Sequence, residues 1–362
     1  MVTENLRSIF NRHAGLVNLC GRGIWDLMDS KFIRNGINKL KYVDWELYKI
    51  NSFGRIMSKY STFDRLIKSL SSPDVTEALD LLRTHFLGSL DVKDITNAAD
   101  IKLAEFLASE GVLVNVDNPH TFKMTSPFMD LLIRQFVIPI MFPNAPKTTV
   151  PQRDNYTIDT LKILQEAINF FDKGILKRAP DLSYKLALMK INKEIKVKVP
   201  RESVYDTELI RILVNWLSKG RNLEVVGQWH LSKPLSNEKY EHKYCDIVIK
   251  APITRSQTFH DQPTIVLELL ATATDKELRE HFDRVITYAD QLSAGEKWVV
   301  HFTCCDNHIT KPLWPTKKEL EKGLQVVIVW HDLGFTTVRM VACWWDEEYK
   351  KVHVTNVEEF RM

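Results

Sequence analysis

Three prolines between residues 143 and 155, Pro143, Pro146 and Pro151, set a break in this chain that neither a helix interior nor a central strand can cross. Each removes a backbone donor and fixes φ. The segment is therefore read as the linker between two domains, residues 1–145 and 156–362. A length of 362 residues fits that division, since one hydrophobic core typically serves roughly 100–200 residues.

The two halves are patterned differently. Before the break, apolar residues recur at helical spacing through Leu16, Leu19, Trp25 and Leu27, and again through Leu40, Trp45, Leu47 and Tyr48. Residues 1–88 are expected to be helical. Residues 89–142 have the order of a winged helix: a helix over 101–110 stopped by Gly111, strands at 112–116 and 121–124 about the turn signal Asp117-Asn118-Pro119, and a helix over 127–137. After the break, helices at about 156–172, 180–192 and 204–218 lead into strand-like runs at 225–230, 244–250, 264–270, 297–303, 325–330 and 337–344. One long helix, about 275–292, interrupts these runs. The expected class is α/β (α+β): an all-helical and winged-helix N-terminal domain, then a mixed sheet flanked by helices.

Composition removes several function classes. A formal net charge of +3 is not that of a polycation, so any affinity for nucleic acid must come from a local basic face. Five cysteines without a C-x-x-C pair argue against a disulfide framework or a structural zinc site. The adjacent Cys304 and Cys305 read as buried thiols at a strand end. Neither a signal peptide nor an apolar run long enough for a bilayer is visible, so the expectation is an intracellular protein of the cytoplasm or nucleus with no membrane partner.

The chemistry-bearing signal is a pair of acids in apolar strands. In Tyr244-Cys245-Asp246-Ile247-Val248, Asp246 shares a face with Val248. In Val266-Leu267-Glu268-Leu269-Leu270, Glu268 shares a face with Val266 and Leu270. A buried lone carboxylate is costly, and two on neighbouring strands repel unless a cation lies between them. Mg²⁺ or Mn²⁺ suits that role, with the Leu269 carbonyl as a third oxygen. The alternative is that both acids face solvent at strand ends. Glu208 lies on the flank of a helical stripe made by Tyr205, Leu209, Ile212 and Trp216, from which it can reach a sheet edge; the alternative is an ordinary solvated flank glutamate. On the helix near 275–292, Glu277, His281, Arg284 and Tyr288 form a row beside the apolar stripe, suited either to meeting phosphates or to an ordinary amphipathic boundary. The segment 173–201 concentrates Lys and Arg, among them Lys190, Lys193, Lys196 and Lys198. It is read either as a phosphate-neutralising face or as a solvated one.

A helical Glu, then Asp246, then Glu268 followed by a helix resembles the PD-(D/E)XK nuclease superfamily. Val266-Leu-Glu-Leu-Leu270 with Leu278-Arg-Glu-His-Phe-Asp-Arg284 looks like the endonuclease-like C-terminal region of Crinkler-type effectors. The segment Phe10-Asn-Arg-His-Ala-Gly15 and the winged helix ending in Thr125-Ser-Pro-Phe-Met-Asp130 are similar to the lid and winged helix that follow a P-loop ATPase core in such proteins. The resemblance implies a restriction-endonuclease-like mixed sheet flanked by helices and metal-dependent cleavage of phosphodiesters. DNA is the implied substrate and RNA the alternative. Glu208, Asp246 and Glu268 match its acidic positions, and Asp246, Glu268 and Leu269 would hold the metal. Arg284, Tyr288 and the basic segment would bind the backbone. The lysine two residues beyond the second acid is absent, Leu270 standing there, so Lys243 or His281 would have to supply the missing group. No G-x-x-x-x-G-K-[ST] segment is present, so no ATP is expected to bind or be hydrolysed. The alternative functions are a non-catalytic nucleic-acid-binding module of degenerate nuclease fold, or a module whose N-terminal domain docks a partner protein.

Overall fold

The computed structural model describes residues 21, 22, 25, 60–116, 118–181, 187, 191, 197–234, 240–251 and 262–362, the side chains of 228–234 and 240–244 excepted. The helices expected over 1–59, including the Phe10 to Gly15 segment, lie almost wholly outside the described residues. The chain divides into two compact units, Met1–Phe142 and Pro143–Met362.

The first unit contains α1 (Ser61–Leu70), α2 (Thr76–Leu81), β1 (Lys93–Asp94), α3 (Ala98–Ser109), β2 (Leu113–Val116), β3 (Asn118–Met124) and α4 (Pro127–Leu132). Its strands form an antiparallel sheet in the order β1-β3-β2. The local signals act where the sequence places them. Asn97 caps α3 by accepting from the Ala99 amide, and Ser126 caps α4 ahead of Pro127. Gly111 leaves α3 at φ +79°, a conformation that costs glycine little. Phe63, Phe86, Leu107, Phe122 and Phe128 fill the core.

The second unit is a mixed α/β body. Its helices include α5 (Thr160–Ile168), α6 (Lys173–Arg178), α7 (Glu202–Leu213), α8 (Asp275–Gln291), α9 (Asp306–Thr310) and α10 (Lys317–Glu321). Its eight strands are β4 (Glu224–Pro234), β5 (Tyr240–Lys250), β6 (Ile265–Ala271), β7 (Glu296–Thr303), β8 (Leu324–His331), β9 (Thr337–Asp346), β10 (Lys351–Val354) and β11 (Glu358–Arg361). The sheet runs β10-β9-β8-β7-β6-β5-β4, with β11 beside β9. β6, β7 and β8 are parallel, and the β4–β5, β5–β6 and β8–β9 pairs are antiparallel. Every residue of β6 and β7 is buried, since both faces of this parallel pair are covered; β6 meets this with a run that is apolar except for Glu268, whereas β7 also buries Glu296, Lys297, His301 and Thr303. The helix expected at 180–192 falls mostly outside the described residues, and a short basic helix, α6, is found before it.

Residues 143–155 are packed onto the second unit rather than strung between domains. Ala145 and Val150 enter its core. Trp216 Nε1 donates to the Thr148 carbonyl at 2.9 Å. Arg153 holds the buried Glu296 of β7 in a forked pair at 2.6 and 3.1 Å. The prolines stop regular structure, as expected, but the apolar residues between them still find a core.

α7 lies on the sheet face that carries Ile247, Leu267 and Leu269. Its Tyr205 stacks on Phe302 at 4.4 Å between centroids and meets His331 Nε2 at 2.7 Å. His331 Nδ1 lies 2.8 Å from the Asp332 carbonyl, which can only accept, so Nδ1 carries the proton and Nε2 accepts from the tyrosine hydroxyl. Burial pushes the His331 pKa down to about 4, against the hydrogen bond and charge of Asp332, which raise it. Unfolding returns it to about 6.5, so the unfolded chain binds the proton first. His331 therefore contributes its stability fully above about pH 6.5 and loses it as the pH falls toward 4, a change of about 3 kcal/mol. Urea unfolding across that window should show a steeper loss for the native chain than for His331→Gln. Equal slopes would rule the titration out.

Candidate active site at the fork between two strands

β5 and β6 pair through Ile247↔Leu267, Val248↔Val266 and Ile249↔Ile265. One step further, Asp246 faces Glu268 on the same side of the sheet, as the alternation predicts. Regular pairing ends there. Asp246 Oδ2 instead accepts from the Leu269 amide at 2.6 Å. β6 continues alongside β7 to Ala271↔Phe302, and β5 continues with β4 out to Tyr240. The two acids thus sit where the strands fork.

α8 reaches this point from the same side of the sheet. Thr274 and Glu277 close a capping box at its start, and Leu278, Phe282, Val285 and Ala289 bury its inner stripe. That phase brings His281 Nδ1 to 3.0 Å and Arg284 Nη1 to 3.3 Å from Glu268 Oε1. Glu277 is taken up by the cap, whereas Tyr288 is buried farther along the row. Glu268 is 1% exposed, and its other oxygen, Oε2, is buried with no hydrogen bond to any described residue. One oxygen faces the Arg284 guanidinium and the His281 ring, and the other is left bare. Burial, then the Glu268 charge, then Glu202 and Asp206, push the Asp246 carboxyl well above the usual carboxylate range. The Leu269 amide opposes them. Burial and the Glu268 charge likewise raise the Tyr288 hydroxyl, against a lowering by Arg284.

Glu208 has a different assignment. Its Oε2 accepts from Arg211 Nη2 at 2.7 Å and from the Asp172 amide at 2.8 Å. The acids of α7 whose charge is felt at Asp246 are Glu202 and Asp206, one helical turn apart. Sequence reasoning missed them. Their i, i+4 spacing was the available signal, and Glu208 lies about 200° round the helix from Asp206 at 3.6 residues per turn. Leu270 is buried opposite His301, so the position two beyond the second acid is apolar in the structure as in the sequence. Lys243 pairs with Leu231 in the β4–β5 ladder, and its side chain lies outside the described residues. So do Lys190, Lys193 and Lys196. Lys198 is exposed and donates to the Asp181 carbonyl at 3.1 Å, while Lys173, Lys177 and Arg178 are exposed on α6. Cys245, Cys304, Cys305 and Cys343 are free and buried.

Among the described residues, no group of three or more His, Cys, Asp or Glu side chains is arranged to hold a metal ion. The donors nearest to such a site are two carboxylates and a main-chain carbonyl. They fit an oxygen-loving divalent cation: Glu268 Oε2 is bare, and Asp246 is held under like charge that a cation would relieve. In extended backbone the Leu269 carbonyl leaves the strand on the same edge as its amide, which is the edge facing Asp246. No described helix is long and apolar enough to cross a membrane. No family model matches the chain, and no curated protein or solved structure is significantly similar to it.

Proposed function

We propose that the second unit is a metal-dependent phosphodiesterase of the PD-(D/E)XK type, acting on DNA as the resemblance to Crinkler-type effectors implies. The observation that carries this reading is the meeting of Asp246 and Glu268 at the strand fork, with one buried carboxylate oxygen bare. Asp246, Glu268 and the Leu269 carbonyl would hold Mg²⁺ or Mn²⁺. When bound, such an ion lowers the pKa of a coordinated water and screens the phosphate. The remaining roles fall to this chain's own groups. Arg284, half-exposed beside Glu268, is placed to take a phosphate oxygen, and its planar fork suits two at once. His281, 3.0 Å from Glu268, is the side chain placed to stand in for the absent lysine. The exposed basic residues of α6 and Lys198 support the backbone of the substrate, whereas Tyr288, being buried, packs behind Arg284 and Glu268 rather than touching it. Glu202 and Asp206, rather than Glu208, supply the further negative field. For the first unit, with no phosphate-cradling loop, we propose a winged helix that docks a partner protein and turns over no ATP.

The purified full-length chain is expected to nick supercoiled DNA at low salt with Mg²⁺ or Mn²⁺ and to stop in EDTA. Undiminished cleavage in EDTA would sink the reading. The buried Leu270 supports one second reading, a degenerate fold that binds but does not cut. Tight, salt-sensitive DNA binding with no cleavage under either metal would select it.

A further inference from the structure

The strand fork frees more than the two acids. β4 and β5 are 11 residues each, yet β5 pairs with β6 only over 247–249. Beyond Asp246 the β4–β5 hairpin continues alone through six register pairs, from Trp229↔Cys245 to Pro234↔Tyr240, a reach of roughly 17 Å at about 3.3 Å per residue. No other described strand pairs with it there. A two-stranded ribbon of that length is marginally stable alone and is the shape that nucleic-acid-binding folds lay along a strand or groove.

Register decides which residue types share a face with the acids. The ladder keeps one register from Gly227↔Ile247 outward. Along β5, positions 244, 242 and 240 alternate onto the Asp246 face, and their partners on β4 are 230, 232 and 234. Those positions are Tyr244, His242 and Tyr240 with His230, Ser232 and Pro234: rings and hydroxyls, and no carboxylate. The charged residues of the ribbon, Lys243, Glu241 and Lys233, fall on the opposite face. By register these positions lie on the same side of the sheet as α8, whose His281 and Arg284 reach Glu268. Alternating aromatic positions leading to a cationic and acidic centre are the makings of a base-stacking track, because every base offers a π-face and stacking needs no sequence readout.

We propose that the β4–β5 ribbon is a track for a single-stranded nucleic acid, whose unpaired bases stack along the Tyr240, His242 and Tyr244 face and whose backbone is thereby fed to the Asp246–Glu268 fork. This rests on the nuclease reading above and narrows it: the substrate is an unpaired strand rather than an intact duplex.

Fluorescence anisotropy with labelled oligothymidylate and with a duplex of the same length, in EDTA so that nothing is cut, tests it. The wild type should bind the single strand more tightly. Tyr240→Ala and Tyr244→Ala should each weaken that binding by about 5- to 100-fold while changing duplex binding little. A thermal melt of each variant checks the fold. Should a variant fail to fold, crosslinking of wild-type protein to 4-thiothymidine-containing oligonucleotide replaces it, with adducts expected within 228–244. Unchanged single-strand affinity in both variants, or crosslinks only elsewhere, overturns the track. If metal-dependent cleavage nonetheless fails in Asp246→Asn, the nuclease reading stands without it. A wild-type chain that neither binds nor cuts any nucleic acid overturns both.

Discussion

Asp246→Asn is expected to lower metal-dependent cleavage by at least about 10²-fold and, at the same time, to make the protein more stable at neutral pH. The first effect follows from removing one preorganised charge at the reacting centre, for which losses of about 10²–10³-fold are typical. The second follows from the sign of the pKa shift. The folded Asp246 carboxyl titrates above its unfolded value, raised first by burial and then by Glu268, Glu202 and Asp206. A carboxyl raised in this way favours folding at low pH and loses that contribution as the pH rises through its folded value. Asparagine is neutral at every pH and can keep the bond from the Leu269 amide, since its carbonyl still accepts. It therefore removes the repulsion and keeps the bridge. Opposite changes in activity and stability are what a strained functional site gives and a structural residue does not. Urea unfolding at pH 7 supplies one readout. A second is the rise in melting temperature on adding Mg²⁺, expected for the native chain and lost in the variant. A variant that cuts DNA normally and melts lower would make Asp246 a structural bridge only.

The parts of this architecture that the sequence discloses are those fixed by short-range rules. Strand alternation places Asp246 on the face of Val248 and Glu268 on the face of Val266, and the register Val248↔Val266 then joins those faces and puts the acids opposite one another. Helical phase places His281 and Arg284 together, and the structure brings both to Glu268. Pattern fails where a partner distant in sequence decides. Glu208 carries one local cue, Arg211 three residues on along α7, but the Asp172 amide that completes its pairing lies far along the chain and is not legible locally. The segment 143–155 reads as a tether because its prolines are visible and the core that receives Ala145 and Val150 is not. β10 and β11 escape notice because each has only four residues at a sheet edge, β10 exposing Lys351, Val352 and Val354 and β11 exposing Glu358, Glu359 and Arg361, so neither shows the alternation of a half-buried strand. The fork is also illegible. It needs to be known that β6 stays with β7 while β5 stays with β4, a fact of tertiary pairing alone.

Arg211→Ala is expected to cost about 3–5 kcal/mol, enough to unfold a domain of ordinary stability. Arg211 is 2% exposed and holds three acceptors from separate stretches of chain: the Asn144 carbonyl at 2.5 Å, the Phe170 carbonyl at 2.7 Å and Glu208 Oε2 at 2.7 Å. Removing it leaves the Glu208 carboxylate, itself 1% exposed, buried without its guanidinium partner, while the Asp172 amide still donates to it. Most of the cost is that abandoned charge rather than the pair's own worth, because the attraction between two buried ions is largely offset by their desolvation. The double variant Arg211→Met, Glu208→Gln should accordingly recover a substantial part of the loss, since it removes both charges and keeps most of the volume. A double-mutant cycle by urea unfolding measures this directly. The same variants decide what Glu208 does: if it belongs to the fold, the stable double variant still cuts DNA at close to the native rate. If it were one of the reacting acids, the double variant would fold and yet be inactive. Additive losses in the cycle would show instead that Arg211 serves the two carbonyls of 144 and 170 and that its pairing with Glu208 is incidental.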